Sequence, residues 1–220
     1  MKPFLKLLAL FFSLSALAGS AFAADASSLK PPPGEKVAIV MFEDLECPDC
    51  ARAFPVVHEA ADAHHIPVML YDFPLPKHAW SHKAAVWARF FDTKSKKLGD
   101  DFRGFTFKNQ QQITRDNLDQ YIKKFADDNK VPVPFVPDPD GKLTAKVDAD
   151  YALGQKVGLE HTPTIFVVSN AGAAAPFVEV VDRAQLSQII EDMQKKAEAA
   201  APSKPSAAPA KKKKQVAQNQ

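Results

Sequence analysis

Two short apolar runs, KVAIVMF (residues 36–42) and IPVMLYDF (residues 66–73), enclose ARAFPVVHEAADAHH, in which Phe54, Val57 and Ala61 recur at helical spacing. Strands joined through a helix need a crossover, and a crossover makes them parallel. That unit commits the chain to an α/β arrangement. Beyond it, HAWSHKAAVWARFF sets Trp80, Ala84, Trp87 and Phe91 on one helical face, read as a buried face. Further helices are expected over about residues 114–128 and 143–157, on either side of the proline-rich loop VPVPFVPDPDG. TPTIFVVS and APFVEVV then read as a strand hairpin, and residues 183–196 as a closing helix. The order predicts an α/β sandwich with a helical insertion, at about residues 77–157, between its βαβ and ββα halves.

The ends read differently. Lys2 and Lys6 precede an apolar run from Leu7 to Leu17 and the small-residue stretch Ala21-Phe22-Ala23, the pattern of a secretory signal peptide cleaved before Ala24. The run is short of the ~20 residues that span a bilayer. The mature chain is therefore expected in the periplasm or secreted, where thiols can be held oxidised. Residues 24–35 form a linker to a single domain over residues 36–196. Residues 197–220, rich in Ala, Pro and Lys, read as a disordered tail without a partner. The chain's net charge of +2 belongs to its ends. Without Lys2, Lys6, the tail's lysines and Glu198, the remainder is acidic, and no basic stripe interleaved with aromatics suggests nucleic acid.

The only two cysteines lie in EDLECPDC, residues 43–50, directly after the first expected strand. Proline is favoured at the first helical position, so Pro48 makes Cys47 the N-cap and Cys50 the third helical residue. An N-cap thiolate can accept the Cys50 N–H and faces the positive end of the helix dipole. Both favour the ionised sulfur, which is the nucleophile of disulfide exchange. Cys50, one turn inward, is placed to resolve a mixed disulfide. A zinc site lacks ligands, since no second cysteine pair exists and His58, His64 and His65 read as solvated residues farther along the helix. An inert bridge across so short a loop would constrain the unfolded chain little. The redox reading is favoured.

These residues resemble the DsbA-like branch of the thioredoxin superfamily. The resemblance rests on ECPDC after a strand, Pro55 eight residues past Cys47, DFPLPKHAWSHKAAVWARFF after the second strand, and VGLEHTPTIFVV near the end, and it covers residues 36–196. It implies a thioredoxin-like sandwich and a cis bond before Pro163. It also implies that Thr162 and Pro163 line the client site, where an extended segment would add as a strand. Pro55 lacks an N–H and is expected to kink its helix.

Two departures stand out. Asp49 occupies a position where strong oxidases of the group carry histidine, and with Glu43 and Asp44 it is expected to tune the pair by disfavouring the Cys47 thiolate. Glu46 would add to that repulsion. Met41 stands where many thioredoxin-fold enzymes carry a buried acid, so either Glu43 or Asp44 substitutes, or water or the substrate handles the Cys50 proton. The resulting expectation is a monomeric extracytoplasmic thiol–disulfide oxidoreductase with Cys47 attacking, Cys50 resolving and no bound cofactor. Its partners would be thiol- or disulfide-bearing client proteins and a membrane or soluble redox partner. Disulfide donation is favoured, with reduction open. The alternative is a thioredoxin-fold chaperone or scaffold that binds extended polypeptides without turnover.

Overall fold

The computed structural model describes residues 28–171 and 176–200. The expected signal peptide, and the tail from residue 201 on, lie outside them. The element order is β1 (Val37–Glu43), α1 (Pro48–His64), β2 (Val68–Asp72), α2 (Ser81–Asp92), α3 (Lys96–Asn109), α4 (Leu118–Asp128), α5 (Lys142–Lys156), β3 (Thr164–Ser169), β4 (Phe177–Glu179) and α6 (Leu186–Ala199). A short 3-10 turn, Arg183–Gln185, leads into α6. The last helix thus runs past residue 196. Leu29, within the expected linker, is buried.

The four strands form one sheet in the order β2-β1-β3-β4. β1 pairs parallel with β2, as its helical crossover requires, and antiparallel with β3, which pairs antiparallel with β4. All seven residues of β1 are buried, because helices cover both faces of the sheet. Val37, Ile39 and Met41 join the larger core with residues of α1, α2 and α6. Ala38, Val40 and Phe42 point the other way, into a smaller core with Phe73, Val157 and Phe166. Full burial of such side chains is worth roughly 1.5–3 kcal/mol each, so β1 is the anchor from which the following loop is aimed.

Within the insertion, Trp80, Ala84, Trp87 and Phe91 are buried, as their spacing indicates. Helix α3 was not expected from the sequence. It carries Gly99 and Gly104, each about 1 kcal/mol worse than alanine in a helix, and an arginine on its buried face. The structure explains Gly99: a Cβ there would lie 1.9 Å from Asp92 Oδ1. Asp92 is thereby free to meet Arg103, which is fully buried.

The outer edge of β2 is closed by side chains. Arg89 donates through Nη2 to the Leu70 carbonyl (3.2 Å), and Asp150 accepts the Asp72 N–H (3.2 Å). Arg89 also pairs with Asp72, Asp92 and Asp150. Occupied edge groups cannot recruit another strand. Helix α1 continues through Pro55 and ends at His65 in the left-handed region (φ 54°). His65 is exposed, but His58 is not the solvated residue the sequence suggests. It is half-buried, its ring 4.2 Å from that of Phe54, and burial lowers its pKa.

Candidate active site

The cysteine pair sits where β1 hands over to α1. Cys47 has extended N-cap backbone angles (φ −82°, ψ 119°), Pro48 opens the helix and Cys50 follows in its first turn. The expected capping bond from Cys50 N–H to the Cys47 side chain is not made. Instead the Cys47 thiol donates to the Thr162 carbonyl at 3.3 Å, which joins two loops 115 residues apart. Thr162 is followed by a cis bond to Pro163, as the family resemblance implies. The Thr162 hydroxyl is buried and has no partner of its own. Cys50 is fully buried, and its sulfur accepts the Asp44 N–H at 3.4 Å.

These surroundings separate the two thiols. Cys47 is lowered to about 5, chiefly by the adjacent Cys50 thiol, with burial opposing and the nearby Thr162 hydroxyl and the N–H groups of Cys50 and Asp49 assisting from outside good hydrogen-bond geometry. Cys50 is pushed well up, first by burial, then by the bond to Cys47 and the charge that Cys47 carries. One sulfur is thus prepared to be a thiolate and the other to keep its proton. Both are free thiols here.

The four acids of EDLECPDC do not act as a group. Asp44 accepts from the N–H groups of Glu46 (2.7 Å) and Leu75 (2.6 Å) and pairs with His78 Nδ1 (2.7 Å). Glu46 accepts the Trp80 N–H at 2.8 Å, at the start of α2. Asp49 is gripped by Arg183 and also meets Arg52. None of these carboxylates is among the leading influences on Cys47. The expectation that they jointly disfavour its thiolate is therefore revised, since each negative charge already has a partner from another part of the fold. Asp44 touches the pair through its backbone only.

Glu43 is the exception. Strand alternation places it two residues past Met41 on the same face, and it is fully buried. Arg103 Nε lies 3.0 Å from its Oε1, yet neither Glu43 oxygen has a hydrogen bond of good geometry. Burial raises Glu43 to about 8 against the pull of Arg103, and its charge is one of those that raise Cys50. Arg103 is neutralised mainly elsewhere, by Asp92 at 3.2 Å and Asp72 at 3.8 Å.

Sequence reasoning missed three supporting residues. Gln110, just past α3, donates through Nε2 to the carbonyls of Leu45 (2.9 Å) and Cys47 (3.1 Å) and so ties the redox loop to the insertion. Arg103 lies in the unexpected helix α3, and Arg183 in the turn before α6. No local motif marks any of them.

The model of the family described as Thioredoxin matches residues 33–192. Among curated proteins, none matches the chain significantly. Among solved structures, the fold is similar to Wolbachia pipientis alpha-DsbA1, at TM-score 0.62 and 16% identity over 77% of this chain and 90% of that one. It is also similar to alpha-DsbA2 of the same organism, described as a thiol-disulfide exchange protein (TM-score 0.57, 19% identity, 74% and 85% covered). The catalytic domain of Proteus mirabilis ScsC gives a TM-score of 0.58 at 16% identity, with 74% and 86% covered. At these identities the structures establish a shared fold. The family match is the stronger finding, for it takes in both halves of the sheet and every helix of the insertion, and by it the chain belongs to the thioredoxin family.

Proposed function

We propose that this protein is a thiol–disulfide oxidoreductase that exchanges disulfides with client proteins outside the cytoplasm, acting chiefly as a disulfide donor. The observation that carries the reading is the divergence of the two thiols: Cys47, at the N-terminus of α1 and beside Cys50, is lowered to about 5, while the buried Cys50 is raised. A stabilised Cys47 thiolate favours the reduced pair, and that makes its disulfide oxidising.

In the donating direction a client thiolate attacks Cys47 of the Cys47–Cys50 disulfide. The S–S bond breaks, Cys50 leaves as a thiolate and a mixed disulfide forms on Cys47. A second client thiolate then attacks the client sulfur and releases Cys47, so the client is oxidised and the pair reduced by two electrons. A redox partner with a disulfide or equivalent oxidant restores the pair. Run in reverse, the same steps reduce a client disulfide. The departing Cys50 thiolate needs a proton, and Glu43 supports this step: it is buried, unpaired in hydrogen bonding, raised to about 8 and coupled in charge to Cys50. A carboxyl of that pKa can give and retake a proton near neutral pH. Glu43 then fills the role for which Met41 is unsuited.

Thr162 and Pro163 form the client shelf. In this reading an extended segment docks on the backbone beside Cys47, because the β2 edge is closed by Arg89 and Asp150 and β4 is only three residues long. With Cys50→Ser, a disulfide-bearing peptide is expected to accumulate as a mixed disulfide on Cys47, visible as a stoichiometric mass adduct that a reductant removes. No adduct at a pH where Cys47 is ionised would count against the reading.

A further inference from the structure

Asp49 is the charged residue inside the cysteine motif, at the second position of α1, where it shares the helix N-terminus with the Cys47 sulfur. Its carboxylate is held by a residue 134 positions away: Arg183 Nη1 lies 2.9 Å from Oδ2 and Nη2 lies 2.8 Å from Oδ1. This is the bidentate fork that guanidinium makes best. Arg52 also reaches Oδ1, at 3.1 Å, but it is 67% exposed, and such surface pairs contribute little. Arg183 is 33% exposed and sits in the turn between β4 and α6, a short segment anchored at both ends, where the Asp182 carboxylate caps Ala184 N–H at 3.0 Å. Arg183 senses Cys50 as well as Asp49 and Asp182, so it lies within the electrostatic reach of the redox pair.

We propose that Arg183 is a positioning residue of the redox centre, which takes both oxygens of Asp49, removes that charge from the field of Cys47 and thereby sets how oxidising the disulfide is. The inference rests on reading Cys47–Cys50 as a redox pair and adds the partner that neutralises the motif. Without Arg183 the carboxylate is left to the exposed Arg52 and is free to turn toward the sulfur. Without Asp49 the guanidinium is released as an uncompensated cation near the pair.

The test is a double-mutant cycle of Arg183→Gln and Asp49→Asn in the full chain. It is read by the 240-nm absorbance of the Cys47 thiolate against pH and by equilibration with reduced and oxidised glutathione. Arg183→Gln is expected to raise the thiolate midpoint and make the disulfide roughly three- to tenfold less oxidising, as expected for a single charge at short range. At about 30 mV per tenfold, that is about 15–30 mV. Asp49→Asn is expected to shift both readings the opposite way but by less than half as much, since Arg183 is not among the direct influences on Cys47, and Arg183→Lys to recover part of the loss. In the Asp49→Asn background, Arg183→Gln should move them less than half as far. No shift from Arg183→Gln, or the same shift with and without Asp49, overturns the proposal, and thermal melts of each variant identify a loss that comes from unfolding. Neither readout needs client turnover, so an inactive parent with an intact cycle would refute the enzyme reading alone.

Discussion

Cys47→Ser is expected to reduce disulfide exchange to the uncatalysed background, measured as insulin reduction or as oxidation of a two-cysteine peptide. A serine hydroxyl neither ionises near neutral pH nor forms the mixed disulfide, and Cys50 cannot replace it because it is fully buried and its thiol is raised. The fold should survive, since Cys47 makes one side-chain hydrogen bond, to the Thr162 carbonyl, that a hydroxyl can also make. Binding of an extended client should therefore persist. A parent protein that binds such peptides yet turns over none, and is unchanged by the substitution, would favour the scaffold alternative.

Arg103→Leu is expected to cost about 3–5 kcal/mol of stability, the range seen when one partner of a buried ionic network is removed. Arg103 is fully buried and reaches Asp92, Asp72 and Glu43. Leucine leaves the buried Glu43 without its cation and Asp72 and Asp92 with Arg89 alone. For a chain of this size the melting temperature should fall by roughly 10 °C, measured by circular dichroism. Glu43 gives the same network a pH dependence of definite sign. Its folded pKa, about 8, lies above its ordinary value of 4.5. Its contribution to stability is therefore fully present below about pH 4.5 and is lost as pH rises through about 8. Glu43→Gln should flatten that part of the stability profile. A loss under about 1 kcal/mol in Arg103→Leu would mean that the insertion is held to the sheet by apolar packing alone.

The strands and most helices were legible because their signals are local. β1 and β3 are apolar runs, α2 shows its buried face in the spacing of Trp80, Ala84, Trp87 and Phe91, and Pro48 fixes the start of α1. Helix α3 was not legible, because Gly99 and Arg103 look wrong for a buried helix until Asp92 is placed beside them. The two cysteines and the Thr162-Pro163 loop could be named from the sequence. The electrostatics could not, since a linear count of acids near Cys47 says nothing about who neutralises them. Asp44 is answered from residues 75 and 78, Glu46 from residue 80 and Asp49 from residue 183. The brake expected from EDLECPDC is thus largely dispersed across the fold. What remains is Glu43, and it acts on Cys50.

In the proposed reading, the neutralised Asp49 and the lowered Cys47 both favour disulfide donation. Removing Gln110 from the Leu45 and Cys47 carbonyls would loosen the tie between the redox loop and the helical insertion.

The fold surrounds two chemically identical thiols so differently that one is set up as a nucleophile and the other as a proton-holding partner. The most direct measurement is the 240-nm absorbance of the reduced protein between pH 3 and 11, with the cysteine-free Cys47→Ser, Cys50→Ser double variant as the blank. One thiolate should appear with a midpoint near 5 and a second only well above 9. Two thiols titrating together in the ordinary cysteine range, near about 8.5, would contradict it.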